Sequence, residues 1–422
     1  MVGHRVGEGA LGAGLAVGGG PAVRIDLTGG WRLEVDSTAP QVKLAERELR
    51  SALGEPGEAG FEVALSHARG AGQGFRLHAT EDRLEIRGES ATATLFGVYA
   101  ALEGLGAHWP WPDERRRAER AATLEPETVE GPALPGRGLV LGERALVEEA
   151  EGWISWAARN RLNSVFVHVS LEGNPAGAAP EASWLERRRE AVATAGERGM
   201  TIEHGGHLLP ELLPGEELRR LAAGRGLSGD ARKVVERHVR AHPEAEVLHL
   251  WGADAPTGAD EGEASDAALR SANSLAEVVE EVDPGTLVAF LAYHDTEQVP
   301  RRVRPRDNVC LVFAPRERCY DHALADPECR QNARHRELLE AQLEHFEGAP
   351  ARVFEYWFDA ILFSGGVPDL TETMARDLAL YGNAGVHTVH MLATGHGRPP
   401  SPHPNPVAFT RLAWDPAANP IA

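Results

Sequence analysis

The chain has 422 residues, 42% of them hydrophobic and 25% charged, which is typical of a globular protein and long enough for two domains. Its formal net charge of −20 argues against nucleic acid or an anionic membrane surface as the main partner. The three cysteines, Cys310, Cys319 and Cys329, are too few for a disulfide framework, and their spacing matches no zinc-site pattern.

The first 20 residues are rich in glycine and carry Glu8. A secretory signal has a basic start and a compact apolar core, which this segment lacks. We therefore predict a disordered leader over residues 1–20 and a cytoplasmic protein. No stretch approaches the roughly 20 apolar residues that cross a bilayer, so we expect no membrane partner.

Residues 21–108 have the pattern of a small α+β domain. Short alternating runs at 61–65, 74–78 and 84–88 predict strands after a first strand region at 23–35. Apolar residues at helical spacing predict helices over 42–53 and 89–106, which makes the order β-α-β-β-β-α. A Trp-Pro-Trp-Pro run then breaks the pattern, and the charged, proline-rich stretch that follows predicts a linker over residues 109–135.

Residues 136–422 alternate regularly between apolar strand runs and amphipathic segments. The predicted strands are 138–141, 164–168, 200–204, 247–251, 287–293, 309–314, 353–358 and 388–392, and the clearest helices are 147–162, 267–282, 335–346 and 370–381. A doubly wound open sheet alternates in the same way, but no glycine-rich phosphate loop follows the first strand. We therefore predict an α/β fold, a (β/α)8 TIM barrel that carries the active site.

Polar and aromatic side chains follow most of the predicted barrel strands. In this fold the C-terminal strand ends form the site. The candidates there are His168, Glu203, His204, His207, Trp251, Asp254, His294, Asp295, Arg316, Glu355, Trp357, Asp359 and His390.

Two carboxylates on facing sides of a barrel rim suit glycoside hydrolysis, in which one protonates the leaving oxygen and the other is nucleophile, base or electrostatic partner. We predict Asp254 and Glu355 as this pair, with Glu203 as the reserve acid. The aromatic neighbours of Glu355 would raise its pKa by desolvation if it faced the site. Because strand residues alternate, Glu355 pointing outward into the helix layer is the open alternative.

The remaining candidates are expected to bind substrate. Trp251 and Trp357 would stack on a sugar face, and Arg137 and Arg316 would bind a carboxylate or hydroxyl. The imidazoles are predicted substrate contacts or proton relays, together with Asp295 and Asp359. A metal could instead be bound by Glu203, His204, His207, His294 and Asp295. The His-x-His expected after the first strand of barrel metallohydrolases is absent, however, and we predict no metal and no cofactor.

Several segments resemble known carbohydrate-active families. Residues 74–102 are similar to the small domain that precedes the barrel in β-N-acetylhexosaminidases of glycoside hydrolase family 20, and alpha-glucuronidases have a similar domain. Arg137-Gly138 resembles the Arg-Gly that opens the hexosaminidase barrel, where the arginine holds the substrate sugar. Residues 202–207, Ile-Glu-His-Gly-Gly-His, resemble that family's motif after strand 3 but lack its proline.

The string after strand 4 departs from the hexosaminidase pattern. That family carries an Asp-Glu pair there, whereas this chain has Asp254-Ala255, so Ala255 stands where the general acid is expected. Residues 153–163, 290–294 and 377–381 resemble the domain-of-unknown-function 4838 family more closely. That resemblance implies a glycosidase-related barrel.

These features together predict a glycoside hydrolase that acts on a terminal sugar, with acidic and N-acetylated sugars among the candidates. A non-catalytic carbohydrate-binding barrel with a decayed site and a metal-dependent hydrolase are the alternatives. The expected partner is a carbohydrate substrate. The sequence does not decide between a monomer and a homodimer.

Overall fold

The computed structural model describes residues 16–17, 21–173, 178–254, 260–396 and 402–418. The chain divides into two compact units: residues 1–108 with 115–133, and residues 109–114 with 134–422. Apart from Ala16–Val17, the predicted leader lies outside the described residues. Of the helices in the described part of the chain, none combines the length and apolar character needed to cross a bilayer.

The smaller unit is an α+β domain built on a six-stranded mixed sheet. The elements over residues 16–130, in chain order, are β1 (Ala16–Val17), β2 (Val23–Asp26), β3 (Trp31–Val35), α1 (Pro40–Leu53), β4 (Phe61–His67), β5 (Phe75–Ala79), β6 (Arg83–Gly88), α2 (Ala91–Gly104), β7 (His108–Trp111), β8 (Glu114–Arg116), β9 (Ala121–Leu124) and β10 (Glu127–Glu130). Residues 109–114, in β7 and at the start of β8, belong to the larger unit. The sheet order is β1-β10-β5-β6-β4-β3. Ser90 is the N-cap of helix α2, and its side chain accepts a hydrogen bond from the Ala93 N–H at 3.2 Å.

Strands occupy part of the segment for which the sequence predicts a linker, residues 109–135. Strand β9 pairs antiparallel with β2, and β10 pairs antiparallel with β5. Both are four residues long. Backbone hydrogen bonds to the partner strand hold these strands, and such pairing leaves little trace in a sequence of only four residues.

The larger unit is a (β/α)8 barrel. Its elements are β11 (Gly136–Leu141), α3 (Arg144–Glu148), α4 (Ala150–Arg159), β12 (Ser164–Ser170), β13 (Ala179–Pro180), α5 (Glu181–Glu197), β14 (Thr201–Gly206), α6 (Leu209–Leu212), α7 (Gly215–Ala222), α8 (Gly229–Ala241), β15 (Ala245–Leu250), α9 (Glu261–Val282), β16 (Leu287–Ala292), a 3-10 turn (His294–Thr296), β17 (Val309–Phe313), α10 (Arg330–His345), β18 (Ala351–Asp359), α11 (Thr371–Asn383), β19 (Thr388–Thr394) and α12 (Pro404–Trp414).

Eight parallel strands close the barrel in the order in which they follow in the chain. Gly138 of β11 pairs with Ser164 of β12 on one side and with His390 of β19 on the other, so the last strand returns to the first. All eight strands overlap the predicted ones, and the predicted fold class is confirmed. The C-terminal ends of these strands therefore lie together at one end of the barrel, where barrel active sites form.

Candidate active site

A cavity of about 280 Å³ lies at the C-terminal ends of the barrel strands. The residues that line it are His168, His207, Trp251, Asp254, Leu291, Tyr293, His294, Arg316, Phe354, Tyr356, Asp359, Ile361, Leu392 and Thr394. They come from β12 and from β14 through β19 or the segments just after them. Seven of them were predicted from the sequence: His168, His207, Trp251, Asp254, His294, Arg316 and Asp359.

Two carboxylates face this cavity in different environments. Asp254 follows β15, and 40% of its side chain is exposed; its Oδ1 lies 4.0 Å from Nε2 of His207. Asp359 ends β18 and is only 2% exposed. Its Oδ1 accepts hydrogen bonds from the N–H groups of Ile361 and Leu362, at 2.8 and 3.0 Å. These bonds hold the Asp359 carboxyl at the cavity wall, and its Oδ2 lies 3.8 Å from Nε of Arg316.

Burial and charge set the protonation of these groups. Burial raises the pKa of Asp359, although the turn N–H groups and Arg316 oppose the rise. Burial lowers the pKa of His207, although Asp254 opposes the fall, so His207 is neutral near pH 7. Nδ1 of His207 lies 2.7 Å from the carbonyl oxygen of Gly252, to which it donates. Nε2 of neutral His207 is then an acceptor that faces Asp254.

The segment after β16 contributes a tyrosine and a histidine. Burial and the neighbouring Asp254 carboxylate raise the pKa of the Tyr293 phenol, which stays protonated as a hydrogen-bond donor. His294 has φ +52°, in the left-handed region that non-glycine residues seldom adopt. The Tyr293 and His294 rings lie 3.7 Å apart. Such backbone strain is often concentrated at ligand-binding positions.

Aromatic rings form one wall of the cavity. The Trp251 ring lies 5.4 Å from His207 and 6.1 Å from His168, and its side chain is buried. Its Nε1–H has no hydrogen-bond partner among the described residues. Phe354 and Tyr356 alternate along β18 and both face the cavity. Tyr293 and Tyr356 were not among the residues predicted from the sequence, although both lie in predicted strands beside residues that were.

Glu355 faces the helix layer, which was the alternative left open by the sequence. Since Phe354 and Tyr356 face the cavity, the residue between them points outward. Its carboxyl accepts a hydrogen bond from Tyr381 of α11 and lies 3.7 Å from Arg318, which is also paired with Asp377. Burial raises the pKa of Glu355 to about 7, opposed by Arg318.

Trp357 also lies away from the cavity. It is fully buried, and its ring is 5.9 Å from Phe409 of α12. Its carbonyl oxygen accepts a hydrogen bond from Nδ2 of Asn405 at 2.7 Å. The pairing of β18 with β19 shifts register between Glu355 and Phe358, which the alternation of a regular strand does not predict.

Glu203 lies inside the barrel, below the cavity. Its Oε1 accepts from Nε of Arg352 at 2.8 Å, its Oε2 lies 2.8 Å from Nε2 of His249, and His390 is 3.7 Å away. Burial alone would raise the pKa of Glu203, but Arg352, with the two histidines, lowers it well below its ordinary value. The reserve acid of the sequence analysis is thus an ion-paired carboxylate in the barrel core.

Arg137 lies at the opposite end of the barrel from the cavity. It is the second residue of β11, at the N-terminal end of that strand. Its guanidinium is fully buried and donates to the carbonyl oxygens of Leu134 and Arg161, at 2.7 and 2.8 Å, and it lies 5.0 Å from the Trp414 ring. The resemblance predicts an arginine that holds the substrate sugar. Arg137 instead connects the backbone at Leu134 to that at Arg161, at the N-terminal end of the barrel strands.

Three further predicted rim residues, His204, Asp295 and His390, also lie outside the cavity, and His390 lies beside Glu203 in the barrel core. His204 points from β14 into the helix layer, since the neighbouring Glu203 points inward. There it lies within reach of Glu181, His238 and His242, and potential ligand atoms of these four residues are within 4.8 Å of one another. Asp295 lines an adjoining, largely apolar pocket of about 430 Å³ beside α7 and α9. Ala255 lies outside the described residues.

A second group of potential ligands lies on the loop after β17. Sγ of Cys319 is 3.3 Å from Nδ1 of His322, and Cys329 completes a set whose ligand atoms are within 4.8 Å of one another. His322 is exposed and both cysteines are partly exposed. The spacing of the cysteines did not indicate this potential metal site, because its third ligand is His322 and not a further cysteine.

The family model described as Domain of unknown function (DUF4838) matches residues 254–422. The predicted resemblance to that family is confirmed over this part of the barrel. Among curated proteins no match was found.

Solved structures of glycoside hydrolases share the fold. A family 20 β-N-acetylhexosaminidase from Streptomyces coelicolor A3(2) is 16% identical with a TM-score of 0.61, and the match covers 96% of this chain and 90% of that one. A β-N-acetylhexosaminidase from Bacteroides fragilis NCTC 9343 is 15% identical with a TM-score of 0.61, covering 95% and 89%. A family 138 enzyme targeting pectin rhamnogalacturonan II is 12% identical with a TM-score of 0.56; the match covers 92% of this chain and 64% of that one.

Proposed function

We propose that this chain is a glycoside hydrolase that removes a terminal sugar and that Asp254 and Asp359 are its reacting carboxylates. The observation that supports it is the cavity at the C-terminal strand ends, which both carboxylates line together with Trp251 and Arg316. The same constellation combines a stacking surface for a sugar ring with groups that bind its hydroxyls. The structural neighbours named above are glycoside hydrolases with the same fold.

The difference between the two carboxyl environments suggests their roles. Asp359 is buried and its pKa is raised, so it is the better proton donor to the leaving glycosidic oxygen. Asp254 is partly exposed and lies beside neutral His207. In the proposed reaction the bond from the anomeric carbon to the leaving oxygen breaks as Asp359 gives up its proton. At the opposite face of the sugar the Asp254 carboxylate takes a proton from water, and the oxygen of that water forms the new bond to the anomeric carbon.

The cavity dimensions favour a single sugar unit. Its volume of about 280 Å³ falls near the lower end of the roughly 300–1,000 Å³ of small-molecule pockets. Trp251 would stack on the apolar face of the ring, and Arg316 would donate to a hydroxyl or carboxylate. Neutral His207 would accept a hydrogen bond from a sugar hydroxyl, and protonated Tyr293 would donate a hydrogen bond to a sugar hydroxyl. A terminal sugar is therefore the proposed substrate.

A hydrolysis screen tests this proposal. Aryl β-N-acetylhexosaminides, α- and β-glucuronides, sialosides and neutral hexosides are incubated with the full chain and with D254N and D359N. We expect turnover of one sugar class, and at least a hundredfold loss of kcat in each variant. E372Q, which changes an exposed carboxylate of α11, is the matched control and should keep full activity. Turnover that survives both cavity substitutions contradicts the assignment of these carboxylates.

A carbohydrate-binding protein without hydrolysis is the second candidate. Arg316 lies 3.8 Å from Asp359 and opposes the rise of its pKa, which disfavours proton donation. If the protein only binds carbohydrate, calorimetry should detect binding of a monosaccharide, and no glycoside of the screen should be cleaved. The metal-dependent alternative is not proposed for this cavity, because Glu203 and His204, two of its predicted ligands, face the barrel core and the helix layer.

A further inference from the structure

Three histidines and a glutamate meet in the helix layer of the barrel, away from the cavity. Glu181 is the first residue of α5, His204 belongs to β14, and His238 and His242 are at the end of α8. The side chains of His204, His238 and His242 are 0%, 6% and 1% exposed, and that of Glu181 is 16% exposed. The group is therefore buried, with one carboxylate that reaches toward solvent.

Glu181 is the common neighbour of the three imidazoles. Its Oε1 lies 3.0 Å from Nε2 of His242, 3.5 Å from Nε2 of His204 and 3.7 Å from Nδ1 of His238. Zinc with nitrogen and oxygen ligands at about 2.0–2.1 Å in tetrahedral geometry requires ligand atoms about 3.3 Å apart. The distances from Glu181 bracket that value. All pairs are within 4.8 Å, so small rotations of the imidazoles would bring them onto one ion.

Buried imidazole nitrogens in this group lack other partners. Neither ring nitrogen of His204 has a hydrogen bond among the described residues, and neither does Nε2 of His238. A buried polar atom without a partner is unfavourable and is seldom left so in a folded protein. The His204 and His242 rings are also stacked with centroids 3.7 Å apart. A cation beside Glu181 would give Nε2 of His204, the ring nitrogen nearer that carboxylate, a partner.

A further carboxylate lies beside one of the imidazoles. Nδ1 of His242 lies 3.5 Å from Oε1 of Glu244, and that oxygen accepts a hydrogen bond from Nε1 of Trp184 at 3.1 Å. Nε2 of His242 is on the other side of the ring, toward Glu181. A small rotation of the His242 ring would bring Nδ1 within hydrogen-bond distance of Glu244. An imidazole that donates one N–H to a carboxylate and presents its other nitrogen to a metal is usual in zinc sites.

We propose that Glu181, His204, His238 and His242 bind one zinc-class divalent ion. His238 is in the last turn of α8 and His242 is the residue that caps this helix, and their ring centroids lie 4.8 Å apart. The ion would join α5 and α8 to β14, the strand that leads to His207 of the cavity. Its role is structural, since all four protein ligands close the coordination sphere. The proposal is independent of the proposed glycosidase activity.

Metal content measures the site directly. The full chain is stripped of metal with a chelator and dialysed against zinc, and its zinc content is measured by mass spectrometry. All measurements use C319S/C329S as the background, because this variant lacks the second group of potential ligands at Cys319, His322 and Cys329. We expect C319S/C329S to retain one zinc per chain and C319S/C329S/H238A/H242A to retain none. Zinc should raise the Tm of the former and leave that of the latter unchanged. Equal zinc content in the two proteins, or none in C319S/C329S, overturns the proposal.

Two measurements keep the test decisive if the quadruple variant does not fold. Cobalt bound to C319S/C329S should show the intense visible bands of a tetrahedral ion with nitrogen and oxygen ligands; an octahedral spectrum contradicts the site. E244Q leaves all four ligands in place and changes only the carboxylate beside His242. It should weaken zinc binding about tenfold to a hundredfold, and an unchanged affinity contradicts the proposed arrangement. Magnesium, which prefers oxygen ligands, should not compete.

Discussion

Arg316 and Asp359 form the one charge pair described within the cavity wall, with Nε of Arg316 3.8 Å from Oδ2 of Asp359. The turn N–H groups that hold Oδ1 leave Oδ2 as the oxygen closer to the arginine. Arg316 comes from the segment after β17 and Asp359 from the end of β18, so the pair joins neighbouring strand ends. A substrate group that enters between them would take over part of the arginine's hydrogen-bonding capacity.

The first prediction concerns the pH dependence set by Arg316. Its positive charge lowers the pKa of Asp359 against the effect of burial, so R316Q should raise that pKa further. If protonated Asp359 is the general acid, the alkaline limb of the kcat/KM profile moves to higher pH in R316Q, and kcat/KM at its optimum falls by about tenfold to a hundredfold. R301Q, an exposed arginine paired with Asp260, is the control. An alkaline limb that stays in place removes Asp359 from the acid role.

The second prediction concerns the stacking surface. Burial of a sugar face against Trp251 stabilises the complex by about 1.5–3 kcal/mol, so W251A should weaken sugar binding about tenfold to a hundredfold, and W251F should recover most of it. Calorimetric titration with the product sugar measures this. W357F changes a tryptophan that packs on Phe409 and should leave the Kd unchanged. Equal effects of the changes at Trp251 and Trp357 contradict a stacking role.

The barrel was predictable because most of its strands are apolar runs that alternate with helical segments. Strand β17, for example, is a continuous buried run, and such a run is visible in the sequence without any knowledge of the tertiary contacts. The strand-end rule then identifies Asp254, Arg316 and Asp359, because the residue just past a strand end lies at the rim whichever way the strand is rotated.

The sequence did not predict whether a given residue within a strand points into the barrel or toward the helix layer. Glu203 and Glu355 lie inside strands that are buried on both faces, where a polar residue in the core and one in the helix layer have the same apolar neighbours. Only the partners distinguish them: Arg352 reaches Glu203 across the barrel, and Tyr381 of α11 reaches Glu355. These partners are 149 and 26 residues away in the chain.

The third prediction concerns the ion pair in the barrel core. Arg352 and Glu203 are each 2% exposed, and removal of one partner leaves the other charge buried without its counterion. We expect R352M to lower the free energy of unfolding by about 3–5 kcal/mol. E203Q/R352M should lose less than the sum of the single changes, because it leaves no lone charge. Urea unfolding of the four proteins measures this coupling, and strict additivity contradicts it.

The fourth prediction concerns a glycine at the end of β14. Gly205 has φ +126°, and a Cβ there would lie 2.2 Å from the carbonyl oxygen of His249. G205A therefore strains the backbone and pushes β14 from β15. We expect a loss of stability above 1 kcal/mol together with weaker substrate binding, since His207 follows two residues later. G229A at the start of α8, where an added Cβ meets nothing within 4 Å, is the control.

The fifth prediction concerns the protonation of Glu355. Its pKa is raised from the ordinary value near 4.5 to about 7 by burial, so between about pH 4.5 and 7 the folded protein binds more protons at this group than the unfolded chain. The stability from this group is therefore complete below pH 4.5 and is lost as the pH rises through 7, by about 3 kcal/mol at most. E355Q cannot ionise and should lack this loss.

The measurement is the free energy of unfolding in urea at a series of pH values for the unmodified protein and E355Q. Their difference should change with pH between about 4.5 and 7 and be constant on either side, with the unmodified protein losing stability relative to E355Q as the pH rises. Sugar turnover by E355Q should be retained, because its side chain contacts Arg318 and Tyr381 and lies outside the cavity lining. A constant difference would assign the pH dependence to other groups. Loss of turnover in a folded, equally stable E355Q would return Glu355 to the reacting pair.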